Sequence, residues 1–274
     1  MNKVSDQHGL SSASSTGTPQ QSVVQALRNA SRSGSDFAYL LRASGIESGY
    51  NANATSQTSS ATGLFQFTEQ TWLRTLKAHG AQYGLGEYAA QIQSGAGGTM
   101  CVTDPATRQA ILNLRKNPLI SAEMTCELNR TNAATLQKNV GGSIGPTELY
   151  LAHFLGAGGA SALLRARQAN PDAQAAGIVP AAAEANSSVF YTAAGQPRSV
   201  EQIYQHFAQQ FDPSSATLGT AATSSLASST SATQTSSLAA NFASLLAEQM
   251  KISELAASIA SGDDDEDSSL SILA

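Results

Sequence analysis

Residues 43–51 read Ala-Ser-Gly-Ile-Glu-Ser-Gly-Tyr-Asn, and residues 59–67 read Ser-Ser-Ala-Thr-Gly-Leu-Phe-Gln-Phe. The first stretch closes a predicted apolar helix whose inward positions include Leu40 and Leu41, and it leaves the carboxyl group of Glu47 at the helix end. The second opens another helix after a polar loop rich in Asn, Ser and Thr. The pattern therefore predicts a helix–loop–helix unit with one carboxyl group at its centre.

Glu47 is the candidate catalytic residue of this unit. We expect one side of it to be packed and the other to face a cleft. Burial disfavours the charged form of a carboxyl group, so such a glutamate can hold a proton near neutral pH and donate it to a leaving oxygen. Gly63 allows a close backbone approach to a ligand, and the Gln66 amide offers both a donor and an acceptor to sugar groups.

Helical spacing recurs on both sides of this unit, and nothing alternates with period two for long. Asp36 is a candidate N-cap for the helix that runs into Glu47. Short β pieces are expected only around residues 99–102. The predicted class is mainly α, and helices are expected at residues 23–30, 36–47, 71–76, 108–113, 120–132, 147–155 and 200–211.

Composition divides the chain into a helical domain with polar flanks. The predicted segments are a disordered polar leader (1–20), the helical domain (21–212), a Ser/Thr/Ala-rich linker (213–237), an amphipathic helix (238–260) and an acidic disordered tail (261–274). The amphipathic helix carries a narrow apolar seam that suits either a protein partner or its own domain.

The net charge of -5 comes from one acidic run, residues 263–267, since the rest of the chain balances 15 acidic against 15 basic residues. Because no basic stripe exists, a nucleic-acid partner is not expected. No stretch is long and apolar enough to insert into a membrane. Cys101 and Cys126 allow either a disulfide or two separate thiols, and no metal or cofactor is indicated.

Glu47-Ser48 followed by Gly63-Leu64-Phe65-Gln66 resembles two motifs of the lytic transglycosylases with the soluble-transglycosylase (SLT), goose-type-lysozyme-like domain. The resemblance spans roughly residues 23–211 and is greatest to alphaproteobacterial types associated with the envelope and flagellum. It implies a lysozyme-like helical domain that cleaves peptidoglycan. The resemblance also implies that Ser48, Gly63, Leu64 and Gln66 of this chain contact the substrate.

The third motif of the family, Ala-Tyr-Asn, is altered here. Residues 151–160 read Leu-Ala-His-Phe-Leu-Gly-Ala-Gly-Gly-Ala, so that Phe154 replaces the tyrosine and lacks its hydroxyl. Tyr150, one helical turn earlier, and His153 are candidates to supply the missing polar group. A later tyrosine lines the cleft in this family, and Tyr191 and Tyr204 are the two candidates.

The resemblance implies a reaction between N-acetylmuramic acid and N-acetylglucosamine. Glu47 protonates the glycosidic oxygen, then accepts the proton of the muramic acid C6 hydroxyl, which closes an anhydro ring. One alternative is a muramidase, which hydrolyses the bond and needs a second carboxyl group; Glu69, Asp104 and Glu148 are available but sit in no recognisable motif. The other is a non-catalytic wall-binding assembly factor of a secretion or flagellar apparatus.

Peptidoglycan implies a periplasmic or envelope location. The first 20 residues lack the apolar core of a secretory signal peptide. The sequence therefore predicts export by a route that it does not reveal.

Overall fold

The computed structural model describes residues 19–32, 34–57 and 59–211. Within these ranges the chain forms eleven α-helices and one pair of two-residue β-strands, so the predicted mainly α class is confirmed. The predicted linker, amphipathic helix and acidic tail lie outside the described residues. So does the predicted leader, except that Pro19 and Gln20 already belong to the first helix.

The helices are numbered in chain order. They are α1 (Pro19–Ala30), α2 (Gly34–Ser48), α3 (Glu69–His79), α4 (Gly86–Gln91), α5 (Pro105–Asn113), α6 (Pro118–Asn139), α7 (Pro146–Ala169), α8 (Ala175–Ile178), α9 (Pro180–Ala185), α10 (Ser187–Phe190) and α11 (Val200–Phe211). The strands are β1 (Gln93–Ser94) and β2 (Met100–Cys101), which pair antiparallel near the β piece predicted at residues 99–102.

The two longest helices, α6 and α7, form the centre of the domain. They pack on each other, α1 packs on α6, and α11 packs on α7. Both α1 and α11 turn an apolar face inward, on which Leu27 and Phe207 are fully buried. Trp72 on α3 is fully buried, and its indole nitrogen donates to the Ile111 carbonyl oxygen at 2.9 Å. One apolar core therefore connects both ends of the described chain.

Side chains and prolines mark where several helices begin. Thr68 caps α3, Asp104 caps α5 and Asn117 caps α6, and in the last two cases proline follows directly. The predicted capping role of Asp36 is wrong. Because α2 begins at Gly34, Asp36 lies in its first turn, and its carboxylate accepts the backbone N–H of Arg32 at 3.3 Å.

Helix α7 is interrupted at Gly156, which has φ 69° and ψ 160°. Side chains other than glycine rarely adopt this conformation. The interruption divides α7 into a first half that carries Tyr150, His153 and Phe154 and a second half that buries Leu163 and Leu164. Gly156 thus sets the direction of the half-helix that reaches Glu47.

Both cysteines are free thiols, so the alternative of two separate thiols holds. Cys101 is exposed on β2, whereas Cys126 is buried on α6. Among the described residues no helix is both long enough and apolar enough to cross a membrane.

Candidate active site

Glu47 lies in the last turn of α2 and is 1% exposed. The expectation of a half-buried carboxyl group with one open side is therefore wrong. Side chains of α7 approach the carboxyl group from the far side of the core and cover it. A carboxylate enclosed in this way is costly unless its oxygens find partners.

The two oxygens of Glu47 differ in their surroundings. The Tyr150 hydroxyl donates to Oε1 at 3.1 Å, and His153 Nε2 lies 3.2 Å from the same oxygen. No described residue hydrogen-bonds to Oε2 or to His153 Nε2, although both atoms are buried. Buried polar atoms are nearly always paired, so each exception calls for an explanation. Among the described residues His79 Nδ1, Ser121 Oγ and Asn186 Oδ1 are also buried without a hydrogen-bond partner.

Tyr150 and His153 form a rigid pair. Their rings stack with centroids 5.8 Å apart and an interplanar angle of 16°. Burial, and next the charge of Glu47, raise the pKa of Tyr150 well above its ordinary value, so the phenol stays a hydrogen-bond donor. Burial and Glu47 also raise the pKa of Tyr39, which lies on the same helix as Glu47. Both sequence candidates for the missing polar group are therefore at the carboxylate.

A small pocket of about 60 Å³ lies on the other side of His153. It opens between the start of α3, the middle of α6 and the first half of α7. Its lining comprises Phe67, Thr68, Thr71, Leu128, Asn132, Ala152 and His153. Glu47 does not line it, whereas His153 both lines it and has Nε2 3.2 Å from Glu47 Oε1.

The loop between α2 and α3 folds inward at its second half, since residues 61–68 are all buried. Gly63 has φ 89°, and a Cβ atom there would lie 2.1 Å from the Arg115 carbonyl oxygen. The close approach that Gly63 permits is thus to the backbone of Arg115.

Arg115 holds this loop in place, a role that the sequence analysis missed. Its guanidinium donates to the carbonyl oxygens of Ser60, Phe67 and Leu112 at 2.6, 2.9 and 3.0 Å. Burial lowers the pKa of Arg115 to about 10. In the sequence Arg115 simply follows the apolar Leu112 and Leu114. That pattern does not reveal a bond to Ser60, which lies 55 residues earlier.

Gln66 and Leu64 are also turned inward. Gln66 is 3% exposed, has φ 45°, and its side-chain N–H donates to the Gly63 carbonyl oxygen at 2.8 Å. Leu64 is fully buried. These residues shape the loop beside Glu47, and Gln66 does not line the pocket, although its neighbour Phe67 does.

Ser48 follows Glu47 in the sequence, and Phe154 follows His153. The side chains of both make their contacts away from the Glu47 carboxyl group. The Ser48 hydroxyl donates to the Ser44 carbonyl oxygen, one turn earlier in α2, at 3.0 Å. The Phe154 ring is buried against Phe207 with centroids 4.5 Å apart. Phe154 therefore fills the core between α7 and α11, while Tyr150 supplies the hydroxyl.

The structure does not bring Tyr191 or Tyr204 into hydrogen-bonding contact with Glu47. The Tyr204 hydroxyl donates to Glu148 Oε1 at 2.6 Å, and the Arg167 guanidinium lies 3.5 Å from the Tyr204 ring centroid. Tyr191 forms an isolated β-bridge with Pro197. Tyr204 thus connects α11 to α7, whereas Tyr191 contacts the segment that leads into α11.

The three further carboxylates available to a hydrolase are each engaged by other residues. Glu69 pairs with the Arg108 guanidinium, and Asp104 accepts hydrogen bonds from Thr107 that lower the pKa of Asp104. Glu148 Oε2 accepts the Gly145 backbone N–H at 2.8 Å at the start of α7. All three have structural partners, and none contacts Glu47.

No family model matches the chain. The described residues also contain no group of three or more His, Cys, Asp or Glu side chains that would hold a metal ion.

Proposed function

We propose that this protein is a peptidoglycan lytic transglycosylase that cleaves the bond between N-acetylmuramic acid and N-acetylglucosamine. The observation that carries the proposal is the buried Glu47 carboxyl group, which has one oxygen held by Tyr150 and one without a hydrogen-bond partner among the described residues. A buried carboxylate oxygen with no hydrogen-bond partner is costly, so its retention beside Tyr150 supports a functional role. The resemblance of the two motifs to the transglycosylases supports the same reaction.

The reaction uses one carboxyl group twice. Protonated Glu47 supplies a proton to the glycosidic oxygen, and the bond between that oxygen and the anomeric carbon breaks. The resulting carboxylate accepts the proton of the muramic acid C6 hydroxyl, whose oxygen closes the anhydro ring. Tyr150 stabilises the carboxylate stage through its hydrogen bond to Oε1.

The engagement of the other carboxylates supports a single-carboxyl mechanism. A muramidase needs a second carboxyl group about 5–9.5 Å from the first. Glu69 is paired with Arg108, and Asp104 and Glu148 bond to the first turns of α5 and α7. The substrate would place the protein in the periplasm or envelope, and residues 238–260 stay a predicted binding segment for a protein partner.

The test is digestion of isolated sacculi by the full-length protein, with released muropeptides identified by mass spectrometry. We expect fragments with anhydro-muramic ends from the wild type and at least about a hundredfold less product from Glu47→Gln. Reducing ends would establish a muramidase. Binding without release by the wild type would favour the wall-binding factor.

Glu127→Gln is the matched control, because Glu127 is the other buried glutamate of the described chain. It is held by Tyr83 and Arg130 and lies in no catalytic arrangement. We expect this variant to be active but less stable. Glu47→Gln should be inactive yet at least as stable as the wild type in thermal unfolding, because it removes an acid that is enclosed without a full set of partners.

A further inference from the structure

The enclosure of Glu47 raises the question of how its proton reaches a glycan, if the proposed function holds. Proton transfer needs heavy atoms about 2.6–3.2 Å apart. Glu47 is 1% exposed and does not line the neighbouring pocket. The His153 side chain is 8% exposed, does line that pocket, and has Nε2 at 3.2 Å from Glu47 Oε1.

We propose that His153 relays the proton between Glu47 and a glycan oxygen bound at this pocket. Of the residues that line the pocket, only His153 is in polar contact with Glu47 within the described chain. The inference rests on the proposed function and adds to it the group that meets the substrate.

The relay conserves protons and electrons. In the first half-reaction Glu47 gives its proton to Nε2 while Nδ1–H gives its proton to the glycosidic oxygen, which keeps the electron pair of the broken bond. In the second, the C6 hydroxyl returns a proton to Nδ1 as its oxygen bonds to the anomeric carbon, and Nε2 returns a proton to Glu47. Imidazole is suited to both steps because each of its nitrogens serves as donor or acceptor.

Neighbouring aromatic rings hold the imidazole of His153 in place beside Glu47. Tyr150 stacks on it, and the raised pKa values of Tyr150 and Tyr39 keep both phenols neutral. The guanidinium of Arg42 on α2 donates to the Gln210 carbonyl oxygen. Helix α11 contributes the apolar rings of Phe207 and Phe211 against Tyr150, and α6 contributes Leu128 and Asn132 to the pocket.

The experiment is chemical rescue. Full-length His153→Ala is assayed on sacculi with and without added imidazole, which fits the space that the side chain leaves. We expect at least about a tenfold loss of product without imidazole and a partial recovery with it. The recovery should depend on the basicity of the imidazole derivative, which a purely structural role of His153 would not produce. His206→Ala is the matched control, because His206 is exposed on α11. This variant should keep the wild-type activity, and added imidazole should not alter it.

Two results would overturn the relay while leaving the proposed function intact. One is full activity of His153→Ala, which would mean that Glu47 meets the glycan directly. The other is a folded, inactive His153→Ala that no imidazole restores. Glu47→Gln should not respond to imidazole.

If His153→Ala fails to fold, His153→Asn takes its place. We expect His153→Asn to release at least about tenfold less product than the wild type, because an amide is a poor proton carrier. Undiminished product release by His153→Asn would overturn the relay. A wild type that releases no product would overturn the proposed function and the relay together.

Discussion

Tyr150 and Tyr204 each donate a hydroxyl to a glutamate, which makes them a matched pair for mutagenesis. Hydrogen bonds to charged groups contribute about 1.5–3 kcal/mol, and about 1.4 kcal/mol corresponds to a tenfold change in rate. We predict that Tyr150→Phe lowers the rate of muropeptide release by roughly 10- to 100-fold. Tyr204→Phe should lose stability at Glu148 but keep its activity. Equal activity losses in the two variants would place Tyr204 in the cleft after all.

Glu127 and Glu123 lie one turn apart on α6 and respond to pH in opposite ways. Burial alone would raise the pKa of Glu127, but hydrogen bonds from Arg130 and Tyr83 outweigh it and the pKa is lowered. Burial raises the pKa of Glu123. A lowered pKa stabilises the fold above the unfolded-state pKa, near 4.3, and this contribution is lost as pH falls through the folded-state pKa. A raised pKa costs stability at neutral pH, and the cost disappears in acid.

We therefore predict opposite effects of two substitutions in urea unfolding. At pH about 7, Glu127→Gln should lower the unfolding midpoint and Glu123→Gln should leave it unchanged or raise it. Both differences should shrink as pH falls through the folded-state pKa of each group, because the wild-type carboxyl group is then protonated in either state. A Glu127→Gln effect that is independent of pH would mean that Arg130 and Tyr83 do not stabilise the ionised carboxylate.

Some residues of the candidate site were predictable from sequence and others were not. Glu47 is marked by its motif, and Tyr150 and His153 follow from the absence of the expected hydroxyl in the third motif. Arg115 and Phe154 were not predictable in their roles, because both depend on partners far along the chain. The inward turn of Gln66 was also missed, since a glutamine in a polar loop carries no sign of its burial.

At the scale of elements, the interruption of α7 at Gly156 determines where Tyr150 and His153 lie. The Gly156 backbone conformation costs other residues about 1–3 kcal/mol. We predict that Gly156→Ala lowers the free energy of unfolding by that amount and reduces activity, because the half-helix must change direction. Urea unfolding and sacculus digestion measure the two effects.

Gly158→Ala is the control for this change. It lies two residues later in the same helix, and a Cβ atom there meets nothing within 4 Å. Alanine is favoured over glycine inside helices by about 1 kcal/mol, so this variant should be as stable as the wild type or more so. A comparable loss in both variants would mean that the position of the glycine in α7 does not matter.

The longer helices were predictable because their apolar spacing extends over several turns. The helices predicted at residues 200–211 and 120–132 correspond to α11 and the first part of α6. Helices α4, α8, α9 and α10 were missed. Each has four to six residues, too few for a periodicity to show, and they depend on packing rather than on their own sequence.

At the scale of the whole molecule, the described core runs from Val23 to Phe207. We predict that a fragment of residues 19–211 folds alone and unfolds within about 4 °C of the full chain, which corresponds to roughly 1 kcal/mol. It should also release the same products from isolated sacculi. A much lower unfolding temperature would show that residues beyond 211 contribute to the core, and the predicted domain boundary at 212 would be wrong.

Helical spacing along the whole chain predicts the mainly α class but not the course of the loop between α2 and α3. The sequence predicts a polar loop that ends where residues 59–67 open the next helix, but α3 begins only at Glu69. The fold instead buries residues 61–68, because Arg115 and the Gly63 turn satisfy backbone groups that water would otherwise have to reach.

Of the two separate thiols, only one is accessible to a labelling reagent in the folded protein. Burial raises the pKa of Cys126 to about 11, whereas Cys101 is open to solvent on the hairpin. A maleimide dye should therefore attach at Cys101 alone under native conditions. Labelled Glu47→Gln protein would report by fluorescence how long one molecule stays on a sacculus that it is unable to cut.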